Sequence, residues 1–132
     1  MTTTDLHTLA SATRAAWKTL KRSSHPQRNA VLAAMADTLT ARSAVIAAAN
    51  AEDLIAGANA GLDAALLDRL RLDAPRIAAL AADVRALIAL PDPLAMRFDE
   101  RVLSNGLKLH RRRVPIGVLG VIYESRPNVT ID

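Results

Sequence analysis

The sequence predicts an α/β fold with four to five N-terminal helices, a β-hairpin and the first strand of a larger parallel sheet. Apolar residues recur at three- and four-residue steps over much of residues 5–90, which is the period of amphipathic helices. An Asn-Gly pair, Asn105 and Gly106, lies between two runs typical of strands. Residues 116–123 are all apolar or glycine, as in a strand that helices cover on both faces.

Composition predicts a globular protein of one modest domain. The 132 residues are 51% hydrophobic and 23% charged, and they include no cysteine. A disulfide framework and a thiol nucleophile are therefore excluded within these residues, and a cytoplasmic location is expected. The N-terminus lacks a basic region followed by an apolar run, and no stretch reaches 18 apolar residues, so we expect neither export nor membrane attachment.

The charge is mildly basic, with 17 basic and 13 acidic residues and a formal net charge of +4. Part of this excess is concentrated in residues 108–113, which predicts a local basic strip. Aromatic residues for base stacking make up only 2% of the chain, and acidic residues are interspersed. We therefore expect no nucleic-acid partner.

Three helices are predicted in the first half of the chain. The first covers residues 5–21, and the second follows a serine cap and an early proline and ends near residue 41. The third covers residues 43–56 and is closed by Gly57 and Gly61. The residues predicted to face inwards are Leu6, Leu9, Thr13, Ala16, Trp17 and Leu20 in the first helix, Val31, Leu32, Met35 and Leu39 in the second, and Val45, Ile46, Ala49 and Leu54 in the third.

Two further helical segments precede a clear boundary. Residues 63–70 form a short helix or turn. Asp73 caps the next helix and Pro75 lies in its first turn. This helix ends at Leu90, because the Pro-Asp-Pro sequence of residues 91–93 cannot continue it. Its predicted apolar stripe consists of Ile77, Leu80, Ala81, Val84, Leu87 and Ile88.

The hairpin is predicted from residues 97–103 and 107–114, joined at Asn105 and Gly106. Both of these residues tolerate the positive φ of a type I′ turn. A two-stranded ribbon is marginal alone and leaves open edges, so it requires a partner. The sequence thus predicts three parts: helical residues 1–93, a hairpin arm of residues 94–114, and residues 115–132 with the first buried strand and a helix start.

A polar turn, residues 124–126, follows the predicted strand and precedes Pro127, which is favoured in the first turn of a helix. We call residues 123–128 the elbow. Ligands of open α/β sheets bind at the carboxyl ends of strands, where helix N-termini offer free N–H groups to anions. The elbow is therefore the predicted ligand site.

The run from Val114 to Thr130, with Pro-Ile-Gly-Val at its start and Tyr-Glu-Ser-Arg-Pro-Asn-Val-Thr at its end, resembles the signature of the γ-glutamyl phosphate reductases. This family belongs to the aldehyde dehydrogenase superfamily, and the resemblance implies an aldehyde-dehydrogenase-like fold. The supporting stretches are residues 48–54, 68–72, 76–77, 90–93 and 105–107. The family's enzymes are about three times longer, so the chain resembles an N-terminal third.

The resemblance implies NADPH-dependent reduction of L-glutamyl 5-phosphate to L-glutamate 5-semialdehyde, with phosphate release, in proline biosynthesis. The family's cysteine nucleophile belongs to a domain that is not in this chain, so we expect the 132 residues to be inactive alone. The resemblance also implies a homodimer or tetramer formed through residues 97–114. The resemblance further implies glutamate 5-kinase as a pathway partner.

In the superfamily, the elbow holds the nicotinamide half of the cofactor and supplies an asparagine amide to the oxyanion. The resemblance assigns Asn128 this catalytic role, with helix capping as the alternative. Without a gap, however, Arg126 falls at the asparagine position. The residues implied in binding NADPH are Tyr123, Glu124, Ser125, Arg126 and Pro127.

Other interpretations exist for individual elbow residues. The guanidinium of Arg126 suits an acyl phosphate or a cofactor phosphate, whereas its structural alternative is a salt bridge to Glu124 or to another domain. Ser125 either hydrogen-bonds the cofactor or caps the following helix. Gly117 and Gly120 lie within the predicted strand and indicate close backbone approach rather than a dinucleotide fingerprint.

The remaining polar residues suggest no further chemistry. The three histidines, at positions 7, 25 and 110, lack ligand spacing, so no metal site is expected. Residues 111–113, three consecutive arginines, suit an interface or solvated strand better than a phosphate site. The alternative function is a non-enzymatic helical binding or oligomerisation module that uses this basic ribbon.

Overall fold

The computed structural model describes residues 5–131. It divides into two compact units, one with residues up to 27 together with 91–120, the other with residues 28–90 and 121 onwards. The elements are α1 (Leu6–Leu20), α2 (His25–Ala41), α3 (Ser43–Asn59), α4 (Ala64–Leu70), α5 (Ala74–Ile88), β1 (Arg97–Val102), β2 (Lys108–Arg112) and a 3-10 turn (Pro127–Thr130). The five helices and the hairpin lie where the sequence predicts them.

Side-chain caps explain most of the helix starts. The carboxylates of Asp5, Asp63 and Asp73 accept backbone N–H groups two or three residues on, at 3.2, 2.8 and 3.1 Å. Before α2, Gln27 Oε1 accepts the Ser24 N–H at 2.8 Å, and Ser24 Oγ accepts the Gln27 N–H at 3.4 Å. This reciprocal pair is a capping box.

Helix α3 is three residues longer than predicted, because Gly57 does not close it. Gly57 is buried within the last turn, where an added Cβ would meet Leu62 Cδ1 at 2.9 Å. Gly61 ends the helix at φ 83°, and the Leu62 N–H donates to the Gly57 carbonyl at 3.0 Å. This is a Schellman motif, which requires a residue in the left-handed region. Gly57 instead allows Leu62 and, from α4, Leu67 to lie close to the α3 backbone, at 2.9 and 3.3 Å from where a Cβ would be.

A small core holds the second unit together. Ala36 of α2 is fully buried with Ala81 and Val84 of α5, and Ile77 and Leu80 of α5 are also buried. Leu32, Leu39 and Ile131 pack against this cluster. The stripe of α5 is thus confirmed over most of its length, although Leu87 is 51% exposed.

Several predicted inward positions are solvent-exposed. Leu6 and Leu9 of α1, Val31 of α2 and Val45 of α3 are 79%, 53%, 53% and 71% exposed. The prediction that these residues face inwards is wrong for this chain. Periodicity identifies the apolar face of a helix, but it does not supply the surface that covers that face.

Within the described residues no single helix is both apolar and long enough to span a membrane. Helices α2 and α3 are long and apolar enough only when taken together, and they bend by 65° at their junction.

The hairpin forms as predicted, but its turn has a different geometry. The Gly106 N–H donates to the Leu103 carbonyl at 2.9 Å, and the Leu103 N–H donates to the Leu107 carbonyl at 2.9 Å. Gly106 has φ 84°, whereas Asn105 is not among the described residues with positive φ. The loop is therefore a three-residue turn with a glycine bulge, not the predicted type I′ turn. Asn105 Oδ1 accepts the Leu107 N–H at 3.1 Å and stabilises it.

The ribbon also contains an extra residue in β1. Phe98 pairs with Arg111 and Arg101 with Leu109, so two residues of β1 lie opposite one residue of β2. Asp99 occupies this bulge at φ 57°, and its carboxylate lies 3.2 Å from Arg111 Nε. Bulges of this kind increase strand twist and interrupt an open edge.

The predicted buried strand, residues 116–123, forms no strand among the described residues and is exposed. Ile116 and Ile122 are 85% and 102% exposed. The physical reason is that a parallel strand requires a neighbour reached through a crossover, and residues 5–131 contain none. The α/β class with its helices and hairpin is confirmed, but the burial predicted for this run is not found.

Candidate functional site

The elbow is a tight backbone feature with one residue in an uncommon conformation. Ser125 has φ 51°, in the left-handed region that residues other than glycine, asparagine and aspartate rarely adopt. Arg126 follows as the N-cap residue of the 3-10 turn, at φ −140° and with no side-chain capping bond. The helix start predicted at Pro127 is confirmed as this short turn. The cap alternative for Ser125 is wrong, because the cap position is one residue later.

Hydrogen bonds join residues of the elbow to the 3-10 turn and to Ile131. The Val129 N–H donates to the Arg126 carbonyl at 3.1 Å, and the Ile131 N–H donates to the Asn128 carbonyl at 2.8 Å. The Tyr123 hydroxyl shares a hydrogen bond with Thr130 Oγ1, which links the start of the elbow to the end of the 3-10 turn. Backbone strain held by surrounding contacts is characteristic of functional turns.

The predicted site residues differ in exposure. Glu124 and Arg126 are exposed, whereas Ser125, Pro127 and Asn128 are half-buried. Within the part of the chain that the structure describes, Arg126 forms no salt bridge to Glu124. The Arg126 guanidinium is therefore available to a ligand or to another protein surface.

Pro127 and Asn128 form one wall of a pocket of about 290 Å³. The opposite walls come from the end of α4, from the loop between α4 and α5, and from α5 itself. We call this cavity the arginine pocket. Its charged lining residues are Arg69, Arg71, Arg76 and Asp83, and its other lining residues are Leu72, Ala79 and Leu80.

Two side chains fix the loop that carries Arg71, which follows Arg69 in the last turn of α4. Buried Asn50 of α3 donates from Nδ2 to the Leu70 carbonyl at 2.9 Å, and its Oδ1 accepts the Leu72 N–H at 2.6 Å. Arg76 donates from Nη1 to the Arg71 carbonyl at 3.0 Å. The backbone on both sides of Arg71 is thus held, so this part of the pocket is preorganised.

Arg76 itself is occupied by protein groups. Its Nη2 lies 2.8 Å from Asp68 Oδ1, and Nη1 also donates to the Asp68 carbonyl. Arg69, Arg71 and Asp83 form no ion pair with another described residue. The pocket therefore presents two unneutralised guanidinium groups and one carboxylate beside the elbow.

The arginine pocket is a feature that sequence reasoning did not find. Residues 68–72 and 76 resemble the family's pattern, but that resemblance assigned them no role. One signal was present in the sequence: a polar residue, Asn50, within the alanine run of residues 47–51. A second cavity of about 420 Å³, lined mostly by apolar residues of α3 and α5 and by Pro127 and Ile131, offers little polar chemistry.

Comparison with known proteins identifies relatives of the whole chain. It is 56% identical over 128 residues to the γ-glutamyl phosphate reductase of Vibrio cholerae, and 50% identical over 131 residues to that of Roseiflexus castenholzii. These matches cover 97% and 98% of this chain and 31% of each relative. The resemblance to the γ-glutamyl phosphate reductases is confirmed. No family model matches the chain.

A solved structure supports the same conclusion. The crystal structure of the γ-glutamyl phosphate reductase from Thermotoga maritima matches with a TM-score of 0.89 and 36% sequence identity. The match covers 97% of this chain and 31% of the Thermotoga chain. The described fold is thus that of the N-terminal part of such a reductase. The chain spans about a third of the length of the reductases it matches.

Proposed function

We propose that the chain supplies the N-terminal part of an enzyme that reduces L-glutamyl 5-phosphate to L-glutamate 5-semialdehyde with NADPH and releases phosphate. This places the activity in proline biosynthesis in the cytoplasm. The observation that supports the proposal is the match to named reductases over 97% of the chain. Because the sequence contains no cysteine, the nucleophile comes from residues outside these 132.

The elbow is proposed to bind the cofactor through residues 123–127. Its chemistry fits such a ligand, because Arg126 offers an exposed guanidinium without a carboxylate partner among the described residues, and guanidinium groups bind phosphates in bidentate fashion. NADPH supplies the hydride. The constrained backbone at Ser125 sets the direction in which the side chains before and after it point.

Asn128 is proposed to stabilise the oxyanion that forms at the acyl carbon. The asparagine is half-buried in the arginine pocket wall, directly after the turn begins at Pro127. An amide donor that is already oriented stabilises developing negative charge more than water does, since it needs no reorganisation during the reaction. Arg126 remains the alternative donor, because it occupies the asparagine position of the superfamily's elbow in an ungapped match.

The hairpin is proposed to form the contact in a homodimer or tetramer. All residues of β1 and β2 are exposed, and Phe98 and Leu109 are among the apolar side chains they present. A ribbon with two open edges is stabilised when it pairs with another sheet. In this proposal residues 1–93 form the helical part, residues 94–114 the arm and residues 115–132 the start of the sheet. Glutamate 5-kinase is the proposed pathway partner.

A fusion protein tests the proposal. Residues 1–132 of this chain would be joined to the part of the Vibrio cholerae reductase that lies beyond the matched region; we call this the reductase fusion. We expect it to oxidise L-glutamate 5-semialdehyde with NADP and phosphate, the reverse reaction, and we expect the 132 residues alone to be inactive. A soluble, folded fusion without this activity would refute the proposal.

The oxyanion assignment has its own test within the fusion. Asn128→Ala is expected to lower kcat about 10²- to 10³-fold, the usual effect of removing an oxyanion donor. Arg126→Ala is expected to raise the KM for NADP with a smaller effect on kcat. The reverse pattern would assign the oxyanion role to Arg126.

A further inference from the structure

The arginine pocket combines both signs of charge in one open cavity at the surface, where Arg69, Arg71 and Asp83 are exposed. Arg69 and Arg71 contribute two guanidinium groups, and Asp83 of α5 contributes a carboxylate. None of the three forms an ion pair with another described residue. A ligand with only negative charge would leave Asp83 unfavourably placed, because like charges at short range repel. A ligand with a carboxylate and an ammonium group would satisfy all three.

The size of the pocket and the rigidity of the loop around Arg71 also favour a small ligand that carries a carboxylate and an ammonium group. The pocket volume of about 290 Å³ lies at the lower end of the range for small-molecule sites. Asn50 and Arg76 hold the loop around Arg71 through three hydrogen bonds to its backbone. A loop that is already ordered loses little entropy when it binds a ligand.

The position of the pocket relates it to the proposed reaction. Its wall includes Pro127 and Asn128 of the elbow, so a ligand in the pocket lies next to the residue proposed to contact the reacting acyl group. The acyl substrate carries its phosphate at one end and an α-amino acid group at the other. A substrate with its acyl carbon at Asn128 has its other end a few bond lengths away, within reach of the pocket.

We propose that the arginine pocket recognises the α-amino acid end of the substrate. Arg69 and Arg71 bind the α-carboxylate, and Asp83 binds the α-ammonium group. Arg76 is a positioning residue that fixes the loop. This inference rests on the proposed function for the identity of the substrate, but it assigns the specificity-determining contacts to residues of the matched region.

Direct binding tests the pocket without catalysis. Isothermal titration of the 132-residue chain would use L-glutamate as the probe, with glutarate, which lacks the ammonium group, and 4-aminobutyrate, which lacks the α-carboxylate. We expect L-glutamate to bind most tightly. Arg71→Ala should weaken L-glutamate binding about tenfold, the loss expected for one charge-assisted hydrogen bond. Arg101→Ala on β1, which removes the same charge elsewhere, should leave binding unchanged.

Kinetics of the reductase fusion give a separate measurement. In the reverse reaction, Arg69→Ala, Arg71→Ala and Asp83→Asn should each raise the KM for the aldehyde about tenfold, with the KM values for phosphate and NADP unchanged. A rise in the KM for phosphate would identify a phosphate site, and a rise in the KM for NADP a cofactor site; either result would overturn the inference. Equal binding of L-glutamate, glutarate and 4-aminobutyrate to the wild-type chain would overturn it as well.

The two experiments separate the two proposals. Selective L-glutamate binding with an inactive fusion would refute the proposed function and retain the pocket as an amino acid site. An active fusion whose aldehyde KM is insensitive to all three substitutions would refute the pocket and retain the function. Circular dichroism of each variant at 222 nm shows whether the helices around the pocket remain folded.

Discussion

Replacement of Asn50 by alanine is expected to release the loop that forms the arginine pocket. Asn50 is 6% exposed and makes two hydrogen bonds, from Nδ2 to the Leu70 carbonyl and from the Leu72 N–H to Oδ1. Both backbone groups are partly buried, and each loses its partner in the variant. Leaving such a group unsatisfied costs about 1–3 kcal/mol.

The expected change in the free energy of unfolding combines two opposing effects. Two groups at the lower end of that range, as their partial burial warrants, give a loss of about 2–3 kcal/mol. Alanine has the higher helix propensity and returns about 0.5 kcal/mol in the middle of α3. The net decrease in the free energy of unfolding is therefore about 2 kcal/mol. With a urea slope of about 1–3 kcal/mol/M, the unfolding midpoint should fall by roughly 1 M.

Urea unfolding followed at 222 nm measures this decrease. Asn59→Ala is the matched control, because Asn59 lies in the same helix and is exposed. We expect the control to change the free energy of unfolding by less than about 0.5 kcal/mol, as is usual for exposed sites. Equal midpoints for Asn50→Ala and Asn59→Ala would show that the two hydrogen bonds do not stabilise the chain, and the argument for a preorganised pocket would fail.

Three further changes test the fold. Gly57→Val should destabilise the chain by about 1–3 kcal/mol in urea unfolding, because even a Cβ would meet Leu62 at 2.9 Å and Leu67 of α4 at 3.3 Å. An unchanged midpoint would contradict the close approach of these two leucines. Gly106→Ala should destabilise the hairpin by about 1–2 kcal/mol, because Gly106 has φ 84°, and amide exchange in β1 and β2 should become faster. Gly120→Ala is the control and should not destabilise the hairpin, because a Cβ at Gly120 meets nothing within 4 Å. Equal effects of the two substitutions would contradict the turn geometry. A double-mutant cycle on Asp37 and Arg85, 2.7 Å apart on the surface, should give a coupling below about 1 kcal/mol that weakens in high salt; a coupling insensitive to salt would contradict the exposure of the pair.

Helix positions are the part of the fold that the sequence predicts best, because capping is local. Asp63 and Asp73 accept N–H groups three residues on, an interaction that depends only on neighbouring residues. Gly61 ends α3 for the same kind of reason. Gly57 was wrongly predicted as a helix end because its role, the contact with Leu62, depends on how the chain returns in three dimensions.

Burial could not be predicted to the same extent. Val45 and Ile122 lie in apolar patterns but are exposed, because an apolar pattern indicates a face to be covered and not the presence of the covering surface. The matched reductases are about three times as long as this chain. Their additional residues are the surface that we propose covers the run from 116 to 123.

The elbow and the arginine pocket differ in how far the sequence predicts them. The elbow is contiguous, so the order of Ser125, Arg126 and Pro127 was enough to predict a turn followed by a helical start. The pocket joins Arg71, Asp83 and Asn128, which are distant in sequence. No local pattern predicts such a combination, since it arises only from the packing of α4, α5 and the elbow.

The most direct test of the account is the activity of the reductase fusion. Its kcat/KM for NADP-dependent oxidation of L-glutamate 5-semialdehyde in phosphate should lie within about tenfold of that of the Vibrio cholerae reductase, since the two enzymes are 56% identical over the exchanged region. The Vibrio reductase without that region serves as the reference for background. A folded fusion no more active than this truncated reductase would contradict the claim that these 132 residues supply the N-terminal part of the enzyme.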